Sequence, residues 1–264
     1  MRLTVIGCSG SMSGRFSAAS AYLLQADGED EDGRLRTYSA VLDFGPGAMG
    51  QLLNYLDPAD LDAMVLSHLH TDHCADIIGM QVYRRWFPGG PLARIPVYSP
   101  GDGQYRTRQL GGDPDEETYE GEFEFKQIGP GDVVEIGPMK LEAFAADHTV
   151  PCVGMRVSGP SDLGPGNATL GYTGDTDLCD TEVEMARGVD LLLSECAFED
   201  GRDSVRGVHM TGSRAGELAQ RAGAARLLLT HLQPWTDPEA VRRSAERVYE
   251  GPVRAVLPGE EHRV

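Results

Sequence analysis

Apolar residues recur along the chain with two different periods, and polar turns rich in Gly, Pro, Asp and Ser separate the runs. Short β-rich runs at Arg2–Ile6, Ala21–Gln25, Tyr38–Phe44, Ala63–Ser67 and Ile95–Tyr98 predict strands. Helical spacing over Ala48–Leu56 and His73–Trp86 predicts two helices, the second stopped by Pro88-Gly89-Gly90-Pro91. Gly7–Ser20 reads as a Gly/Ser loop and Asp27–Gly33 as an acidic turn. Residues 101–121 are polar and acidic with little periodicity, which predicts a mobile loop or lid.

Phe123–Ile128, Val133–Ile136 and Met139–Ala145 predict a meander, with turns at Gly129-Pro130-Gly131 and Gly137-Pro138. Strands at Val153–Ser158 and Thr169–Thr173 follow. The last third reads as a β/α series. Its helices fall near Glu182–Arg187, Ser213–Ala222 and Pro238–Tyr249, and its strands at Leu191–Ser194, Arg226–Thr230 and Val253–Leu257. The two halves share this plan without a tandem repeat or a linker. The expectation is a single α/β (α+β) domain over 1–264, a layered sandwich of two sheets with helices outside.

Composition narrows the chemistry. The 264 residues carry 41 acidic and 23 basic side chains, a net charge of −18, so long nucleic acid, whose binding depends on neutralised phosphates, is a poor partner. A small anionic substrate remains compatible if metal ions dominate the local field. No stretch approaches the ~20 apolar residues of a membrane span, and the start lacks the apolar region of a secretory signal. The five scattered cysteines (Cys8, Cys74, Cys152, Cys179, Cys196) read as reduced thiols of a cytoplasmic protein. A homodimer is the default expectation for assembly.

The strongest local signal is Ser67-His68-Leu69-His70-Thr71-Asp72-His73, a strand-to-helix turn with four metal-ligand side chains in six positions. Imidazole and carboxylate together suit zinc, with manganese or iron as alternatives. His148, Asp175 and His231 each close an apolar run, the place where side chains from different strands meet in a layered fold. Each alone reads as a loop residue; their shared placement favours a common site.

The order H-x-H-x-D-H, His, Asp, His resembles the metallo-β-lactamase superfamily over nearly the whole chain. The resemblance implies a four-layer αββα sandwich with two divalent metal ions. By position His68, His70 and His148 would hold one ion, Asp72, His73 and His231 the other, and Asp175 would bridge. His70 departs from the di-iron oxygen-reducing branch, which has Glu there. Such a pair of ions acidifies water for hydrolysis, and Asp72 is placed to orient that water.

Leu193-Ser194-Glu195-Cys196-Ala197-Phe198 and His209-Met210-Thr211 resemble two motifs of the ribonuclease Z branch, with Ser194, Cys196 and Ala197 departing from the pattern. The resemblance implies that Glu195 orients His209 as general acid. That branch carries a long tRNA-clamping arm between the His148 and Asp175 positions, and residues 149–174 leave no room for one. The stretches Met1–Ser11, Leu66–Cys74, Tyr172–Thr176 and Leu228–Trp235 also resemble actinobacterial cyclic-nucleotide phosphodiesterases of atypical class II.

The favoured reading is therefore a phosphodiesterase acting on a small phosphodiester, a 3′,5′-cyclic nucleotide such as cAMP foremost. The alternatives are a ribonuclease Z-like RNA 3′-end endonuclease, a carboxyl-ester, lactone or thioester metallohydrolase, and a silent metal-binding module. Ser9 and Ser11, in the Gly-rich turn after the first strand, are candidate phosphate contacts. Arg106 and Arg108 are candidate phosphate partners, Cys74 reads as core, and Trp86 and Phe87 are expected to pack.

Overall fold

The computed structural model describes residues 1–114 and 116–264. In the first half β1 (Arg2–Ser9), β2 (Ala18–Ala19), β3 (Ala21–Glu29), β4 (Leu35–Phe44), β5 (Ala63–Val65), β6 (Ile95–Ser99) and β7 (Phe123–Gln127) build one sheet. In the second half β8 (Val133–Ile136), β9 (Met139–Ala145), β10 (Val153–Pro160), β11 (Asn167–Tyr172), β12 (Leu191–Glu195), β13 (Leu227–Thr230) and β14 (Val253–Ala255) build the other. A last strand, β15 (Glu261–Arg263), returns to the first sheet antiparallel to β1.

Each sheet starts antiparallel and ends parallel. Strands β1, β3 and β4 pair antiparallel, then β4 to β7 run parallel. Strands β8 to β11 pair antiparallel, then β11 to β14 run parallel. Parallel neighbours need a crossover, and the crossovers put helices on the outer faces. The helices are α1 (Ala48–Leu52), α2 (Thr71–Cys74), α3 (Ile77–Arg85) and α4 (Gly103–Gly111) on one side, with α5 (Asp180–Met185), α6 (Gly212–Ala222) and α7 (Pro238–Glu246) on the other.

Three apolar layers follow from the period-two alternation of strand side chains. Leu191 and Leu193 point between the sheets, where they join Leu3, Val5, Leu24, Leu42, Met155 and Val157. Leu192, Leu227 and Leu229 point outward onto Leu218, Ala219, Val241 and Ala245 of α6 and α7. On the opposite flank Leu23, Val41 and Met64 meet Leu52, Ile77 and Met80. The result is the four-layer αββα sandwich.

Several local readings change. The expected helix over His73–Trp86 is two helices: the chain breaks at Ala75-Asp76, where the Asp76 amide donates to the Phe44 carbonyl (3.1 Å) and its carboxylate accepts from the Met49 amide (2.8 Å). The stretch 101–121, expected as a loop, contains α4, capped by Asp102 and ended by Gly112 at φ 65°. Residue 115 lies outside the described residues. Arg85 grips Glu117 and Glu122 with four bonds of 2.7–2.9 Å, which ties the segment after α4 to α3. The acidic turn shrinks because β3 and β4 stay paired to Glu29 and Leu35. Trp86 does not pack: it is 74% exposed, while Phe87 leans on Tyr83. Among the described residues no helix is long and apolar enough to cross a membrane.

Candidate metal centre

Strand ends from both sheets converge at one edge of the sandwich. The loop after β5 delivers His68 and His70, and α2 delivers Asp72 and His73; the loops after β9, β11 and β13 deliver His148, Asp175 and His231. Close backbone approach is needed to bring them together. A Cβ on Gly10 would lie 2.1 Å from the His231 carbonyl oxygen, and one on Gly45 would lie 1.9 Å from that of Asp72. Glycine is required at both positions.

The seven side chains form two clusters, each with candidate ligand atoms within 4.8 Å of one another, and a third group joins His148 and Asp175 to His209. In the outer cluster, His70 Nδ1 is 3.0 Å from His68 Nε2 and 3.2 Å from His148 Nε2. In the deeper cluster, His73 Nε2 is 3.2 Å from Asp175 Oδ1 and 3.4 Å from Asp72 Oδ2, and His231 Nε2 is 3.4 Å from Asp175 Oδ2. Asp175 Oδ2 also stands 3.8 Å from His68 Nε2, so one carboxylate touches both groups. Among the described residues, His73 Nε2, His231 Nε2 and Asp175 Oδ1 are buried with no hydrogen-bond partner. Buried polar atoms left unpaired are costly, and a converging set of His and Asp atoms is what a divalent cation needs. The residues fit such ions.

Anchors behind the ring nitrogens fix how the imidazoles point. The buried Asp43 accepts from the Ser67 amide (2.6 Å), the Ser67 hydroxyl (2.8 Å) and the Tyr172 hydroxyl, and lies 2.7 Å from His73 Nδ1. Ser67 Oγ stands 3.0 Å from His68 Nδ1, Ser20 Oγ 2.8 Å from His231 Nδ1, and the Val208 carbonyl 2.8 Å from His148 Nδ1. Such second contacts orient metal-binding imidazoles.

Electrostatics separate the histidines. Burial works against charge on His73, but the Asp175 and Asp43 carboxylates outweigh it and hold its pKa well above 6.5. Burial and the neighbouring His73 push His68 well below 6.5, and burial also lowers His70 and His231. Burial would raise both Asp72 and Asp175. His73 outweighs it at Asp72, as His231 and His73 together do at Asp175, and both carboxyls stay ionised.

A second pair faces this cluster. Glu195 closes β12, fully buried, and accepts from the Thr176, Met210 and Ala197 amides at 2.9–3.3 Å. It also holds His209 Nδ1 at 3.0 Å, while Phe198 packs edge-on against the ring. Burial opposes charge on His209, but Glu195 lifts its pKa to about 9. The imidazolium borders a cleft of about 340 Å³ with Ser11, Asp72, Arg106, His148 and Asp175.

All seven expected ligand positions therefore converge, and Glu195, His209 and Ser11 adjoin them. Ser9 does not line the cleft; its hydroxyl is buried against Gly14. Cys74 is core, its thiol donating to the His70 carbonyl (3.1 Å). Sequence reasoning missed Asp43, Ser20 and Asp177. Asp43 is the penultimate residue of β4, and its sequence neighbours alone do not mark it as an anchor. Asp177 gathers Arg206, Arg214 and the Gly207 amide, and so braces the loop that carries Val208 and His209. Arg106 reaches the cleft from α4 with its Nε donating to the Leu69 carbonyl (3.0 Å).

Comparison with known proteins agrees with this geometry. Residues 40–232 match the β-lactamase superfamily domain. The chain is 38% identical to an uncharacterized protein of Mycobacterium leprae, over 98% of this chain and 87% of that one. It is 32% identical to the probable metallo-hydrolase YhfI of Bacillus subtilis over 98% of each. The crystal structure of YhfI superposes with a TM-score of 0.84 at 30% identity, covering 100% of this chain and 99% of YhfI. Ribonuclease Z of Methanopyrus kandleri is 30% identical over 72% of this chain and 75% of its own. The chain belongs to the metallo-β-lactamase superfamily and is a metallo-hydrolase. Within that superfamily it falls in the ribonuclease Z-like branch.

Proposed function

We propose that the chain is a cytoplasmic, single-domain phosphodiesterase that uses two divalent metal ions to hydrolyse a small phosphodiester, a 3′,5′-cyclic nucleotide such as cAMP. His68, His70 and His148 would hold one ion, Asp72, His73 and His231 the other, with Asp175 shared; zinc is favoured by the donor set. Bound, the ions supply Lewis-acid charge and an acidified water.

The observation that carries the reading is the Glu195–His209 pair beside the cluster. A ribose alkoxide is a poor leaving group, and a placed imidazolium is worth ~10²–10⁴-fold in such a step. Glu195 occupies Nδ1, which leaves His209 Nε2–H as the proton donor. Water, its proton passing to solvent, forms the new P–O bond while Asp72 orients it. The 3′ P–O bond breaks, and the departing ribose oxygen takes the proton of His209. Exchange with solvent returns His209 to its starting state. Arg106 and Ser11, at the rim, would meet the phosphate oxygens. An ester, lactone or thioester hydrolase would have little use for that acid.

Two features support a small substrate. Residues 149–174 are spent on β10, β11 and their turn, and the chain carries −18. The 30% identity to a ribonuclease Z favours a second reading, cleavage at RNA 3′ ends. Metal-reconstituted protein should be assayed side by side on cyclic mononucleotides, cyclic dinucleotides, precursor tRNA and a lactone. Turnover of a cyclic mononucleotide with shallow salt dependence is expected; cleavage of tRNA alone, lost steeply with salt, would replace this reading with the nuclease.

A further inference from the structure

We propose that the cavity on the far side of His148 is the pocket for the substrate's nucleobase, an inference that rests on the cyclic-nucleotide reading. The cavity measures about 590 Å³ and shares His148 and Thr149 with the metal cleft, so one molecule can occupy both. Its walls come from both sheets: Pro100 and Ile128 follow β6 and β7, and Val150 and Pro151 lie between β9 and β10. Pockets of this size with apolar walls and a few polar groups suit small ligands.

Charge selects the ligand. The chain has 41 acidic residues, yet among the described residues no Asp, Glu, Lys or Arg lines this cavity. A second phosphate would find no cation there, whereas a neutral planar heterocycle buries its faces without leaving a charge unpaired. Gln127, the last residue of β7, is among the lining residues and carries a side-chain amide. An amide offers a donor and an acceptor together, which matches the N6–H and N7 edge of adenine. The geometry thus favours a purine, adenine first, with its phosphate beside Arg106 and His209.

The test uses the metal-loaded full chain with two substrates, 3′,5′-cAMP and ribose 3′,5′-cyclic phosphate, which has no base. Val150→Trp puts an indole into the cavity and should raise KM for cAMP at least about tenfold with little change in kcat. The constants for the base-free substrate should not move. Gln127→Ala, at an exposed strand end, should raise KM for cAMP and spare cyclic UMP. Titration with adenosine, which has no phosphate, should give binding to the wild type and none to Val150→Trp.

Unchanged KM for cAMP in both variants, or equal losses on both substrates, overturns the pocket. So does an effect of Val150→Trp on precursor tRNA alone. Adenosine binding lost in Val150→Trp, in a protein inert toward every phosphodiester, supports the pocket and overturns the proposed reaction instead.

Discussion

The deeper and outer halves of the metal cluster are built differently. Asp72, His73, Asp175 and His231 are all buried and bring two carboxylates, while His68, His70 and His148 bring three imidazoles, two of them half-exposed. Asp43 and Ser20 brace His73 and His231 from behind. In the outer half His70 turns Nδ1 toward His68 and His148, and His148 leans on a loop carbonyl. The deep half is therefore a rigid, charge-rich anchor. The outer half faces the cleft, and Asp175 Oδ2 approaches His68 Nε2 across the divide (3.8 Å).

Changes that touch this division should rank by how many halves they reach. Asp175→Ala should have the largest effect, with both ions lost and turnover at background; metal analysis retaining two ions per chain would contradict the shared role. His209→Ala comes next, expected to cut turnover by ~10²–10⁴ with metal content intact. Unchanged turnover would remove the general-acid assignment. Asp43→Asn loosens the anchor of His73 and should weaken deep-site affinity by about 10–100-fold while sparing the outer ion. Competition with a chelator reads that difference, and equal weakening of both ions would erase the contrast.

The smallest effect concerns pH. His209, lifted to about 9 by Glu195 against the opposing effect of burial, stays protonated at neutrality, so turnover should fall as pH rises through about 9. Glu195→Gln should move that fall toward 6.5, and an unmoved profile would place the titration elsewhere. The same raised pKa means that the pair stabilises the fold fully below about 6.5 and loses that contribution as pH rises through about 9. His73 is also held above 6.5, so its proton competes with the deep ion, and affinity there should increase with pH.

Much of this was legible in the sequence because ligands close strands. The apolar runs before Ser67, His148, Asp175 and His231 mark the strand ends, and their convergence follows from the two-sheet plan. The anchors were harder to read. Asp43 acts through its neighbours in space, thirty residues from His73, and a lone Asp after Val-Leu carries no spacing signal. Helix α4 was missed because Gly103, Gly111 and five polar side chains mask its period; a cap at Asp102 and packing of Leu110 on the outer core hold it. The polar Glu-His-Arg of β15 gains strand form only by pairing with β1. Propensity yields to tertiary pairing there.

The account stands most directly on whether this chain binds two ions that its turnover requires. Metal analysis of purified protein, stripped with chelator and reloaded, should be read beside hydrolysis of 3′,5′-cAMP. Two ions per chain, with turnover lost on stripping and restored as the second ion returns, is the predicted result. Full turnover in stripped protein, or two bound ions with no cleavage of any phosphodiester, would contradict it.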